Sequence, residues 1–132
     1  MRWDGEGDVS EGVRERAFQV DVEGRVVPGI LWLPDSDEPG PRPLVLLGHG
    51  ATRHKRVDYL LALGRRLAGD HRLAVASIDA PGHGGRRGPG PDDDIKLFGA
   101  FLAEWSREGS TDDMVADWLA TIEAVRELDQ VG

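Results

Sequence analysis

The residues best suited to chemistry in this chain form two short His-Gly segments, each directly after an apolar run. Leu44–Leu47 is followed by Gly48-His49-Gly50-Ala51-Thr52, and the run that ends at Ile78 is followed by Asp79-Ala80-Pro81-Gly82-His83-Gly84. Both apolar runs have the length and composition of buried parallel strands. Ligands of open α/β sheets bind at the carboxyl ends of such strands. Backbone N–H groups of a loop at that position can stabilise the oxyanion of an acyl-transfer reaction.

The rest of the chain predicts the elements that position these segments. Phe18, Val20 and Val22 alternate with polar residues, as in a half-buried strand, and Glu23-Gly24 is a turn before an antiparallel partner that closes at Pro34. Helical spacing predicts helices over about residues 57–68, 92–105 and 110–125. We expect the last to begin with a capping box formed by Ser110 and Asp113, and to bury a stripe of Val115, Trp118, Leu119, Ile122 and Val125.

This order of elements predicts an α/β fold: an antiparallel hairpin at the N-terminus, then parallel strands in a βαβ arrangement with flanking helices. Because the last helix has no following strand, we expect the sheet to be incomplete. The polar, glycine-rich residues 1–14 are expected to be a flexible lead-in, and residues 15–132 to belong to one domain.

Composition excludes several functional classes. With 24 acidic against 16 basic residues the net charge is -8, which disfavours nucleic acid or anionic membrane as a partner. The chain has no cysteine, so it can form neither a disulfide nor a thiolate nucleophile. Neither a membrane span nor a signal peptide is recognisable in the sequence, and we expect a cytoplasmic protein.

The two His-Gly segments resemble the α/β-hydrolase superfamily, in particular its dienelactone hydrolase and esterase-like members. The resemblance extends over about residues 15–132 and corresponds to the N-terminal half of such a domain. It implies hydrolysis of a small-molecule ester by a Ser-His-Asp triad without a cofactor, with the backbone N–H of Ala51, and secondarily of Thr52, in the oxyanion hole. Arg86 stands where the family commonly has serine.

The resemblance also implies roles for the neighbouring residues. Catalytic residues of this family follow the chain order nucleophile, acid, histidine, so neither His49 nor His83 is expected to be the general base. His49 would instead brace the oxyanion loop, and His83 would order its own turn. Six residues are expected to line the site: His49, Gly50, Asp79, Gly82, His83 and Gly84.

The triad itself is not recognisable in these residues. The nearest approach to a G-x-S-x-G elbow is Asp8-Val9-Ser10-Glu11-Gly12, which lacks the first glycine, and Ser36, Ser77, Ser106 and Ser110 have no elbow context. A zinc site built from His49, His54, Asp79 and His83 is chemically conceivable, but its spacing fits no metallohydrolase motif, and we expect no metal. The alternative function is a catalytically silent α/β module, or truncated remnant, that binds a partner.

Two further expectations concern apolar surface. Phe98, Phe101 and Trp105 lie on one helical face, which could cover an acyl pocket, although packing of that face in the core is favoured. In the family's strand order, Leu44–Leu47 would lie on an open sheet edge. We therefore expect self-association, or binding of a complementary chain, through that edge.

Overall fold

A computed structural model describes residues 1–87 and 93–132, in which five strands form one mixed sheet of order β1-β2-β3-β5-β4. The strands are β1 (Arg2–Ser10), β2 (Val13–Val22), β3 (Arg25–Pro34), β4 (Leu44–Leu47) and β5 (Ala74–Ile78). The helices are α1 (Asp58–Gly69), α2 (Asp94–Ser106) and α3 (Ser110–Arg126), with a short 3₁₀ turn at Gly84–Arg86. Strands β4 and β5 are parallel and all other neighbours are antiparallel.

The predicted hairpin is formed by β2 and β3, which pair along their whole length from Val13↔Pro34 to Val22↔Arg25. Its turn residues, Glu23 and Gly24, both have positive φ, as a type I′ turn requires. The predicted alternation is confirmed, since Phe18, Val20 and Val22 are all buried.

The expectation of a flexible lead-in over residues 1–14 is wrong, because Arg2–Ser10 forms β1 and pairs antiparallel with β2. The turn between them, Glu11-Gly12, has the same sequence type and the same two positive φ angles as Glu23-Gly24. A register shift between Asp4 and Asp8 interrupts the ladder, which hides the alternation from a pattern search. Trp3 nevertheless packs edge-to-face on Phe18.

The core lies on both faces of the sheet, because alternate residues of β5 point in opposite directions. Ala74, Ala76 and Ile78 join a cluster that includes Val125 of α3. Val75 packs on the other face, in a cluster with Trp32 of β3 and Ala68 of α1. Helix α1 approaches β3 closely at Gly64, where an added Cβ would lie 2.7 Å from the Trp32 ring.

Strand β4 lies at an edge of the sheet and pairs only with β5 among the described strands. Leu44–Leu47 was expected to be buried, but none of its residues is, and Leu46 is exposed. Just before this strand, Arg42 forms a parallel bridge with Val131. The last residues of the chain therefore run beside the segment that leads into β4, in the same direction.

Helix α2 begins as its sequence predicts but packs differently. The Asp93 carboxylate caps it by accepting the N–H groups of Ile95 and Lys96, as is usual for an aspartate at the N-cap position. The predicted acidic start includes Asp92, which lies outside the described residues. No residue of α2 is buried, so the expectation that Phe98, Phe101 and Trp105 pack in the core is wrong.

Helix α3 differs from the prediction in its N-cap and in its buried positions. Its N-cap is Gly109 with φ +85°, so the capping box is wrong, and the Ser110 hydroxyl donates to Glu104 instead. Its buried positions are Asp117, Thr121 and Val125, whereas Val115 and Leu119 are exposed. Across residues 1–87 and 93–132, no helix combines the length and apolarity needed to cross a bilayer.

Candidate functional site

The two His-Gly segments form adjacent loops at the carboxyl ends of β4 and β5. We call residues 48–57 the β4 loop and residues 79–87 the β5 loop. Because β4 and β5 are parallel neighbours with Leu47 opposite Ser77, both loops leave the sheet side by side, at the carboxyl ends of the two strands. This is where open α/β sheets place their ligand sites, and the sequence predicted it.

The loops are joined by two reciprocal hydrogen bonds, each donated by a backbone N–H of one loop to a histidine of the other. His49 of the β4 loop accepts the Ala80 N–H at Nε2, with an N···N distance of 3.0 Å. His83 of the β5 loop accepts the Thr52 N–H at Nε2, at 3.1 Å. A ring nitrogen that accepts an N–H carries no proton, so Nδ1 bears the hydrogen in both rings. It donates to the Gly50 carbonyl from His49 and to the Pro81 carbonyl from His83.

The environment of His49 favours its neutral form. Burial lowers the pKa of His49 below its usual value, and the neighbouring His83 lowers it further, while the hydrogen bond to Gly50 opposes the shift. The two rings lie with their centroids 5.0 Å apart. With both nitrogens of each ring occupied, neither histidine is placed to take a proton from a nucleophile.

Asp79 is completely buried and holds both loops in place. Its carboxylate accepts the Lys55 N–H at 2.8 Å and the Gly85 N–H at 2.9 Å, and pairs with Lys55 Nζ at 3.0 Å. Gly84, with φ +51°, passes so close to this carboxylate that a Cβ there would overlap it. Asp79 is thus a positioning residue whose charge is compensated by Lys55.

The backbone N–H groups of residues 50–52 have different partners. The Gly50 N–H donates to the Tyr59 hydroxyl at 2.8 Å, and the Thr52 N–H is held by His83. The Ala51 N–H has no acceptor within residues 1–87 and 93–132. Thr52 adopts φ +64°, a strained conformation for a β-branched residue that tends to be kept where geometry matters.

A cavity of about 290 Å³ is lined in part by Ala51. The sequence-predicted residues His49, Gly50, Ala51 and His83 line it, whereas Thr52, Gly82 and Gly84 lie behind His83, around a much smaller cleft. The other side is formed by α2 and the start of α3, which contribute Phe101, Glu104, Trp105, Ser110, Thr111 and Met114. The aromatic spacing on α2 was the only sequence signal for that side.

Ser110 is the serine in the cavity, and its surroundings do not activate it. Its hydroxyl donates to the Glu104 carboxylate at 2.9 Å. Hydrogen bonds from Arg107 are the main cause that lowers the pKa of Glu104, and Ser110 adds to it. A carboxylate whose proton affinity is depressed is a poor general base, so this pair does not replace the triad.

A buried charge cluster behind the site was missed by the sequence analysis. Asp117 of α3 is fully buried and pairs with Arg25 of β3 at 2.7 Å and with Arg86 of the β5 loop at 2.6 Å. Arg86 also donates to the Asp79 carbonyl at 3.2 Å. Arg86 stands where the family commonly has serine, but no pattern in the sequence pairs Arg86 with Asp117.

The histidines and carboxylates do not gather into a metal site. Within residues 1–87 and 93–132, no three His, Asp or Glu side chains are arranged to hold an ion. The ring nitrogens of His49 and His83 are occupied by backbone groups.

No model of a known protein family and no curated protein matches the sequence. Solved structures do match. A cold-adapted esterase from an Arctic intertidal metagenomic library, solved with polyethylene glycol bound, is 33% identical, with a TM-score of 0.78. The match covers 98% of this chain and 51% of the esterase.

Two more distant structures share the fold alone. One, provisionally named a dienelactone hydrolase, is from Klebsiella pneumoniae; it is 15% identical with a TM-score of 0.66, over 89% of this chain and 45% of that one. The other, provisionally named an acetyl xylan esterase, is from Bacteroides fragilis; it is 13% identical with a TM-score of 0.68, over 96% and 38%. The chain therefore spans about half the length, or less, of the structures it matches.

Proposed function

We propose that this chain, which has the α/β-hydrolase-like fold that its sequence predicts, forms the oxyanion-loop half of an ester hydrolase. The nucleophile, acid and base of the Ser-His-Asp triad would come from outside these 132 residues. The substrate would be a small-molecule ester, and no cofactor takes part in this chemistry.

The observation that carries the proposal is the state of the Ala51 N–H. This donor faces no acceptor among the described residues, while the N–H groups of Gly50 and Thr52 on either side are engaged. When a nucleophile attacks the ester carbonyl, the oxygen gains negative charge. An N–H held free at that point can donate to it, together with the N–H of the residue after the nucleophile.

The same contacts support preorganisation of the loop. Donors stabilise a developing oxyanion best when they need not move during the reaction. The Ala51 peptide lies between Gly50, held by Tyr59, and Thr52, held by His83, and the Asp79 carboxylate holds the loop further on at Lys55. His49 and His83 thus act as positioning residues.

The open side of the edge strand β4 could accommodate the other half of the proposed hydrolase domain. β4 has one side without a described neighbour, and the Arg42–Val131 bridge directs the end of the chain parallel to β4. A further strand that continued from this bridge could pair along β4 and bring a strand-to-helix elbow next to Ala51. This supports a nucleophile supplied at the end of such a strand.

The test begins with the coding sequence downstream of the Gly132 codon. If it continues in frame, the longer protein is expressed and its hydrolysis of 4-nitrophenyl acetate is measured for the native chain, Ala51→Pro and Ala51→Ser. Proline removes the N–H, so we expect kcat to fall roughly 10²–10³-fold, whereas Ala51→Ser keeps the N–H and should retain most activity. Equal activity of all three proteins, with their folds verified by NMR spectra, would contradict the role of Ala51.

One observation favours the alternative of a silent partner-binding module. Among the described residues, Ser110 is bound to Glu104, and both candidate histidines are occupied. A fluorophosphonate probe should therefore leave the 132-residue chain unlabelled under either function. A stop codon directly after Gly132 would leave the module as the better explanation.

A further inference from the structure

Helix α2 presents aromatic side chains to the cavity rather than to the core. Phe101 and Trp105 line the cavity, and we call this pair the aromatic wall. Trp105 is 72% exposed and no residue of α2 is buried. Core packing therefore does not account for two large rings on this face of the helix.

The two rings of the aromatic wall continue a series of ring contacts that starts at His83 of the β5 loop. His83 packs edge-to-face on Phe101 with centroids 5.9 Å apart, and Phe101 packs edge-to-face on Trp105 at 5.2 Å. Such pairs fix the orientation of each ring. Contact with His83 therefore holds the aromatic wall in place. It lines the cavity on the side opposite His49 and Ala51.

The charge of the cavity narrows the class of ligand. Glu104 lies in the cavity wall, and its bonds from Arg107 and Ser110 keep it ionised. Arg107 does not line the cavity, so among the described lining residues the Glu104 carboxylate is the single side chain of Asp, Glu, Lys or Arg type. No lysine or arginine is among the described residues that line the cavity, so an anionic ligand finds no counter-charge there, whereas a neutral apolar group would displace water from the rings.

We propose that the cavity binds a neutral ester with a single aromatic ring, which packs on Phe101 and Trp105 while its carbonyl reaches the Ala51 N–H. The volume of about 290 Å³ lies at the small end of ligand pockets, which suits one ring with a short ester. This inference deepens the proposed function and rests on it for the direction of the carbonyl. The ring-binding part stands on the cavity alone.

The experiment titrates the 132-residue chain with methyl benzoate, methyl cyclohexanecarboxylate and benzoate, followed by NMR. The two esters are close in size and differ in aromaticity, and benzoate adds the negative charge. We expect methyl benzoate to bind about two- to ten-fold more tightly than the saturated ester, which is the range for aromatic pairs. Benzoate should bind more weakly than either. The largest shifts should be at the Trp105 indole and the Ala51 amide.

Variants then assign the preference to the aromatic wall. Phe101→Leu and Trp105→Leu should each reduce the preference for methyl benzoate, and Trp105→Phe should keep most of it. The control is Trp3→Leu, which removes an aromatic ring from β1, away from the cavity lining. It should leave the preference for methyl benzoate unchanged. Equal affinity for the two esters in the native chain, or tighter binding of benzoate, would overturn the inference without any variant.

This outcome is independent of the test of the proposed function. A preference for methyl benzoate together with an inert Ala51→Pro change in the longer protein would keep the aromatic site and remove the oxyanion role. A loss of activity in Ala51→Pro without any preference for methyl benzoate would do the reverse.

Discussion

His49 and His83 each accept a backbone N–H from the loop that carries the other, at 3.0 and 3.1 Å. Each bond crosses from the end of one parallel strand to the end of its neighbour. Protonation of either Nε2 would turn an acceptor into a donor facing an N–H group. The neutral state of the two rings is thus tied to the geometry of the candidate site.

The first prediction concerns pH. The pKa of His49 is lowered in the folded chain, so its contribution to stability is fully present above the unfolded value of about 6.5 and is lost as the pH falls through the folded value. In urea unfolding, the native chain should lose more stability between pH 8 and pH 5.5 than His49→Gln. Glutamine can still accept the Ala80 N–H but does not titrate. The same pH dependence in both proteins would count against this role.

A second prediction concerns the buried charge cluster. Asp117→Asn removes the fully buried carboxylate that pairs with both Arg25 and Arg86, which should cost roughly 3–5 kcal/mol of unfolding free energy. Arg25 keeps its ion pairs with the more exposed Asp113 and Glu23, so the loss falls mainly on Arg86. The matched control is Glu123→Gln, an exposed residue on the same helix, and surface changes of this kind stay within about 0.5 kcal/mol. Chemical denaturation of the two variants measures the difference. A cost for Asp117→Asn as small as the control's would mean that the pairing contributes little.

The third prediction compares two glycines inside helices. A Cβ at Gly64 would meet the Trp32 ring, whereas a Cβ at Gly99 would meet nothing within 4 Å. Gly64→Ala should therefore destabilise the chain by about 1–3 kcal/mol through overpacking. Gly99→Ala should stabilise it by up to about 1 kcal/mol, since alanine favours the helix. Shifts of the same sign in thermal unfolding would contradict this account of how α1 approaches β3.

The fourth prediction concerns association through the open edge. Leu46 on β4 and Val9 on β1 are exposed apolar residues on the two opposite edge strands. β1 carries acidic residues and an irregular register, which protect an edge from pairing. Leu46→Lys should lower the oligomer fraction in sedimentation velocity, and Val9→Lys should not. A monomeric native chain, or an effect of Val9→Lys alone, would exclude association through β4.

Where the sequence analysis succeeded, a single physical signal determined the element. The alternation around Phe18 and the Glu23-Gly24 turn predict the β2–β3 hairpin because one face must be buried. The two apolar runs followed by glycine predict β4, β5 and their loops. These local signals also placed His49, Ala51 and His83 at one cavity.

Where it failed, a partner distant in the chain decided the outcome. Asp117 lies between Val115 and Trp118, so an amphipathic pattern assigns it to solvent, yet two arginines from other elements allow its burial. The same helix then exposes Val115 at 53% and Leu119 at 58%. β1 was missed because its glycines and acidic residues obscure the strand pattern, although its pairing with β2 is continuous on either side of the irregularity.

The position of β5 in the sheet has a consequence for the order of folding. β1, β2 and β3 pair through two short turns, so this half of the sheet needs only local contacts. β5 inserts between β3 and β4, with Gly29 opposite Ile78, and β4 has no described partner until it arrives. Closing so long a stretch of chain is slow compared with forming a hairpin. We therefore expect the candidate site to be assembled last, when β5 docks and brings both histidine loops together in one step.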